Sequence, residues 1–117
     1  MDKKTLAHFG EQKAADYLTS LGYTILAHNY RCKSGEIDVI AAKDNCLCFI
    51  EVKARSSLAY GLPCQAVNER KRQRIRRAAE TYAQSQPNLS DCEWRFDVIE
   101  LLVLPQGRYL RHVEEAF

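Results

Sequence analysis

At 117 residues the chain has the size of one domain, 1–117, and its 46% hydrophobic content is enough for a single packed core. Charged residues make up 27% and the net charge is only +2, which excludes a polybasic protein held to a polyanion by overall charge, so any nucleic-acid contact must come from a local concentration of cations. Met1-Asp2-Lys3-Lys4 runs into polar sequence without an apolar leader, and no stretch approaches the roughly 18 apolar residues of a membrane span, so a soluble, cytoplasmic chain with no membrane partner is expected.

The first element is a helix over about residues 5 to 21, where Ala7, Ala14, Leu18 and Leu21, with Tyr17 beside them, recur at helical spacing and Gly22 supplies a stop. Glu11 lies at the edge of that stripe, beside the core; taken alone it is an ordinary helix-margin glutamate. A strand follows from Tyr23 to Tyr30, then two more, Gly35 to Ala42 and Cys46 to Arg55, joined by the turn residues Lys43-Asp44-Asn45. A turn centred between Asp44 and Asn45 sets Asp38 opposite Glu51, Glu36 opposite Lys53, Ile40 opposite Phe49 and Ala42 opposite Leu47, all on one face. The other face pairs Ile37 with Val52, Val39 with Ile50 and Ala41 with Cys48; being apolar throughout, it must be covered by other structure. A basic helix is expected from Glu69 to Ser85 with Asn68 as its N-cap, then a strand from Trp94 to Leu104 that ends before Pro105-Gln106-Gly107, and a last strand from Arg108 to Val113. The order α-β-β-β-α-β-β predicts an α/β fold with helices layered over a central mixed sheet.

On the mixed face of the hairpin, Glu36, Asp38 and Glu51 with Lys53 leave two uncompensated negative charges, and opposed like charges destabilise a sheet. A divalent cation on hard oxygen ligands, Mg²⁺ or Mn²⁺, offsets that repulsion and gives the arrangement a use. The plainer alternative is a solvated strand end with Glu36 and Lys53 as an ordinary cross-strand pair. The same face turns apolar at Ile40, Phe49 and Leu47, which puts Asp38 and Glu51 at the margin of a buried layer and favours a site. Arg70-Lys71-Arg72-Gln73-Arg74-Ile75-Arg76-Arg77 holds six basic residues in eight. Its buried stripe of Ile75, Ala78, Ala79 and Tyr82 leaves Arg70, Arg74 and Arg77 outward for phosphate contact, with Arg72 and Arg76 flanking and Lys71 near the apolar side, toward the site. Arg31 and Arg55, near strand margins, are further candidates. The five cysteines, Cys32, Cys46, Cys48, Cys64 and Cys92, lack metal-ligand spacing and are expected to be reduced, mostly buried thiols.

Gly35-Glu36-Ile37-Asp38-Val39-Ile40 followed by Phe49-Ile50-Glu51-Val52-Lys53-Ala54-Arg55 resembles the PD-(D/E)xK restriction-endonuclease-like superfamily. Within it the chain is closer to the YraN family, which is similar to archaeal Holliday-junction resolvases. That likeness extends to Gly10-Glu11, Ala14, Tyr17-Leu18, Asn29-x-Arg31, Ala66-Val67, the basic helix around Lys71 and the ending Glu114-Glu115-Ala116-Phe117. One departure is that Ile37 stands where the superfamily name has proline. The resemblance implies that Asp38 and Glu51, with the Val52 carbonyl, ligate Mg²⁺ or Mn²⁺, that Lys53 positions or helps deprotonate the attacking water, and that Glu11 assists. It implies a metal-dependent endonuclease hydrolysing phosphodiester bonds, with branched or nicked DNA the substrate to try first and a homodimer an open possibility. The alternative from another class is a non-catalytic nucleic-acid-binding module that keeps the nuclease fold.

Overall fold

The computed structural model describes residues 1–57 and 68–117; Cys64, Ala66 and Val67 lie outside the described residues. Helix α1 (Lys3–Ser20) starts on an Asp2 cap whose carboxylate accepts from the Thr5 amide, and it is followed by strands β1 (Thr24–Cys32), β2 (Gly35–Lys43) and β3 (Cys46–Arg55). Helix α2 (Glu69–Gln84), a short 3-10 turn at Pro87–Leu89, and strands β4 (Glu93–Leu104) and β5 (Gly107–Val113) complete the elements of the described residues. The five strands form one sheet in the order β1-β2-β3-β4-β5, antiparallel except for the β3/β4 pair that α2 connects. This is the mixed sheet and the element order expected from the sequence. Among the described residues the 3-10 turn is additional.

Side chains of alternate parity build two cores, one on each face. Val39, Ala41, Cys48 and Ile50 pack with Ala14 and Leu18 of α1, while Ile40, Leu47 and Phe49 pack with Ile75, Ala78, Ala79 and Tyr82 of α2. The sheet is therefore sandwiched between the helices, the α/β/α layering of a restriction-endonuclease-like fold. The hairpin register is as expected, with Ile40 paired to Phe49 and Ala42 to Leu47.

The α1 stripe differs from the expected one. Leu6, Gly10, Ala14 and Leu18 form the buried row with Ala15 beside it, whereas Ala7 and Leu21 are exposed. The reason is close approach at Gly10: a Cβ there would stand 2.7 Å from the Ala54 Cβ, so only glycine lets the helix settle on β3 along that row. Of the cysteines described, Cys48 is buried and Cys32, Cys46 and Cys92 are half-buried free thiols, so burial is less complete than the composition suggested.

Candidate functional site

Asp38 sits where regular strand pairing lapses. Along β1/β2 the ladder passes from His28↔Val39 to Tyr30↔Ile37, skipping Asn29 and Asp38, and Asn29 has a left-handed φ of 49°. Along β2/β3 the pairing ends at Val39↔Ile50. The strands part there, and the Val52 amide donates instead to Asp38 Oδ2 at 2.8 Å. Three expected neighbours change as a result. Asp38 and Glu51 are not a ladder pair; Glu36, rather than facing Lys53, is exposed and ion-pairs with Arg31 at 3.3 Å; and Ile37 joins the α2-side core instead of facing Val52. The physical cause is common to all three, because the irregularity at Asp38 breaks the two-residue alternation on which the hairpin expectation rested.

Glu51 continues the α2-facing row of β3 and is 6% exposed. Its Oε1 receives two ammonium groups, Lys53 at 3.4 Å and Lys71 at 2.5 Å. Lys71 is delivered from the first turn of α2, where its amide donates to the Asn68 cap at 2.9 Å. Burial pushes the Asp38 carboxyl up to about 7, with the neighbouring charges of Glu51 and Glu11 adding to the shift while the Val52 amide and Lys71 oppose it. Glu11 thus acts on the site from half-buried α1, next to the close contact at Gly10. Burial and the adjacent Lys71 ammonium hold Lys53 below the usual lysine range against the pull of Glu51. Burial also opposes charge on Lys71, but its bonds to Glu51 and Lys53 outweigh that and raise it. The two lysines are thereby differentiated, Lys71 as the firm cation and Lys53 as the one readier to release its proton.

Glu100 is a neighbour that reading the sequence missed. It pairs with Lys53 in the parallel β3/β4 ladder, is 5% exposed, and its Oε1 has no hydrogen-bond partner. The available signal was a glutamate inside the apolar run Val98-Ile99-Glu100-Leu101-Leu102; only the parallel register, set by the crossover through α2, puts it beside Lys53.

Beside Glu51 opens a groove of about 450 Å³ lined by Arg31, Lys33, Glu36, Arg70, Lys71 and Arg74, among others. It exists because β2 begins against α2, a Cβ on Gly35 lying 3.3 Å from that of Arg74. The candidate cations Arg31, Arg70, Lys71 and Arg74 thus share one concavity, to which Lys33 is added. Arg55 lies apart, in a second groove with Lys53 and Leu6, and Arg77 is exposed on α2 outside both linings.

Among the described residues no group of three or more His, Cys, Asp or Glu side chains is arranged to hold a metal ion. The donor chemistry nevertheless fits a hard divalent cation. Half-buried Asp38 lies near buried Glu51, its carboxyl is raised first by burial and then by the charge of Glu51, and Glu100 offers an acceptor with no partner.

The fold and site define an α/β protein with a buried glutamate beside a half-buried aspartate, an adjoining lysine pair and a basic groove. Residues 10–101 match the model of Uncharacterised protein family UPF0102. The chain is 45% identical over 116 residues to a UPF0102 protein of Clostridium acetobutylicum, covering 97% of this chain and 94% of that one. It is 42% identical over 120 residues to one of Caldanaerobacter subterraneus, covering 100% and 98%, and 44% identical over 101 residues to one of Caldicellulosiruptor saccharolyticus, covering 86% and 85%. The chain belongs to this family, the YraN family.

Proposed function

We propose that the chain is a metal-dependent endonuclease that hydrolyses phosphodiester bonds in nucleic acid, DNA before RNA. The observation that carries this is the meeting of half-buried Asp38 and Lys53 with buried Glu51 at a point that opens, through Lys71, onto a groove lined by arginines and lysines. Asp38 and Glu51 are the residues to hold Mg²⁺ or Mn²⁺, which supplies Lewis-acid polarisation of the phosphoryl oxygen and a bound water of lowered pKa. Lys53, held below the usual lysine range, takes or positions the proton of the attacking water. Arg31, Arg70 and Arg74 contact the backbone phosphates and fix the strand beside the acidic pair.

The test is a Mg²⁺-dependent cleavage panel of duplex, flap, nicked and four-way DNA and single-stranded RNA. Cleavage of at least one substrate is expected, with a loss of about a hundredfold or more in Asp38→Ala and Glu51→Ala that remain folded by circular dichroism. Full activity in both variants would overturn the assignment. A second reading, a non-catalytic nucleic-acid-binding module, is favoured by one observation: Lys53 and Lys71 already neutralise Glu51 without a metal. It is distinguished by salt-dependent DNA binding that persists unchanged in Asp38→Asn, with no divalent-metal heat in the wild type.

A further inference from the structure

A carboxylate oxygen presents two lone-pair directions, and both acceptor directions of Glu51 Oε1 are in use. Asp38 Oδ2 is likewise engaged, by the Val52 amide. Lys53 and Lys71 hold Glu51 from different places. Lys53 is on the same strand, two residues away, with a side chain 20% exposed. Lys71 reaches in from α2 with the shorter contact, and its side chain is 39% exposed because it also lines the basic groove. A long, flexible ammonium side chain shared between a buried carboxylate and an anion-binding groove has two alternative partners. The groove's other cations, Arg31, Lys33, Arg70 and Arg74, would draw a phosphate within its reach.

From this we infer that Lys71 is a latch: in the free protein its ammonium occupies the cation position on Glu51, and a backbone phosphate seated in the groove draws it off, so that divalent-metal binding and nucleic-acid binding are coupled. This rests on the metal-dependent reading above and adds to it a regulation of the same site. The coupling follows from exclusion. A cation cannot take Glu51 Oε1 while Lys71 fills that direction, and a phosphate that holds Lys71 removes the competitor. By linkage, metal and nucleic acid then raise each other's affinity by the same factor. A site kept closed until substrate arrives would also keep a hydrolytic metal centre from assembling in the absence of its strand.

The test is calorimetric and needs no turnover. Mn²⁺ is titrated into the folded wild type, Lys71→Met, Arg74→Met and the double variant Asp38→Asn/Glu51→Gln, each checked by thermal unfolding. Lys71→Met is expected to bind Mn²⁺ about tenfold more tightly than wild type, within the range usual for coupled sites. Arg74→Met removes a groove charge without touching Glu51 and is expected to stay within about twofold of wild type; this separates the latch from a general loss of positive charge. A short DNA duplex added with Ca²⁺ as the cation should raise metal affinity more in wild type than in Lys71→Met. Equal Mn²⁺ affinity in wild type and Lys71→Met, both abolished in the double variant, would overturn the latch and leave the metal site standing. An equal gain in Arg74→Met would also overturn it. Undiminished Mn²⁺ binding in the double variant would overturn the metal reading itself and the latch with it.

Discussion

Asp97 and Asp38 are both carboxylates set among apolar side chains of one sheet, and their surroundings drive them in opposite directions. Asp97 is fully buried; it accepts two bonds from Arg95 at 2.9 Å, one from His112 Nε2 at 2.7 Å and one from the Glu115 amide at 3.2 Å. Arg95 also donates to the Tyr23 hydroxyl at 2.6 Å, and His112 Nδ1 meets the Tyr17 hydroxyl at 3.1 Å. Burial alone would raise Asp97, but His112, Arg95 and the amide outweigh it and hold the carboxyl below its usual value. Asp38 has one amide donor and two acidic neighbours, and it is raised to about 7. Burial on its own therefore says little about a carboxylate's role. The supply of donors separates a carboxylate that pins the fold, here tying Tyr23, β4, β5 and the C-terminal residues to α1, from one left with a single amide donor.

The largest expected effect tests the satisfied side of this contrast. Asp97→Asn leaves His112 without its anion and Arg95 with only the exposed Glu114 carboxylate at 3.6 Å, and should cost about 3 to 5 kcal/mol in urea unfolding, the range for breaking one partner of a buried pair. A loss under about 1 kcal/mol would remove Asp97 from that role.

The next effect is in pH. Folded Asp38 keeps its proton up to about 7, whereas the unfolded chain loses it near 3.8, so the folded state holds the extra proton between those values. Its contribution to stability is complete below the lower value and is lost as pH rises through 7. Asp97, depressed, behaves in the opposite sense: its contribution is present above its unfolded value and is lost as pH falls. Between about pH 4 and 8, wild type should therefore lose a few kcal/mol relative to Asp38→Asn, at about 1.4 kcal/mol per pKa unit. Parallel profiles for the two proteins would contradict the raised carboxyl.

Gly10→Ala sharpens the comparison at the helix that carries Glu11. Relieving the 2.7 Å approach to Ala54 pushes α1 outward, at about 1 to 3 kcal/mol for overpacking, offset by about 1 kcal/mol of better helix propensity. A net loss of up to about 2 kcal/mol is expected, restored in Gly10→Ala/Ala54→Gly. Failure of the second change to restore stability would point away from that contact.

Much of the site was legible because it depends on short-range pattern. The turn at Asp44-Asn45 set the register that pairs Ile40 with Phe49 and Val39 with Ile50, and the 3.6-residue period of α2 separated outward Arg70, Arg74 and Arg77 from Lys71 on the inner side. Glu36 was misread as the partner of Lys53 because strand alternation was extended past an irregularity at Asn29 that no local propensity announces. The Asp97 network was invisible for a different reason: its partners Tyr17, Tyr23 and His112 come from segments far apart along the chain.

Local periodicity and turn chemistry by themselves determined the helices, the strands and the hairpin register as far as Val39 and Ile50, since each of these is settled by neighbours a few residues away. Tertiary structure alone decided that β3 and β4 run parallel with Glu100 beside Lys53, that Gly10 brings Glu11 close, that Arg31 joins the α2 cations in one groove, and that Lys71 lands on Glu51. These depend on where a crossover places one strand beside another and how closely a helix can approach a sheet, which are distances across the fold and not intervals along the chain.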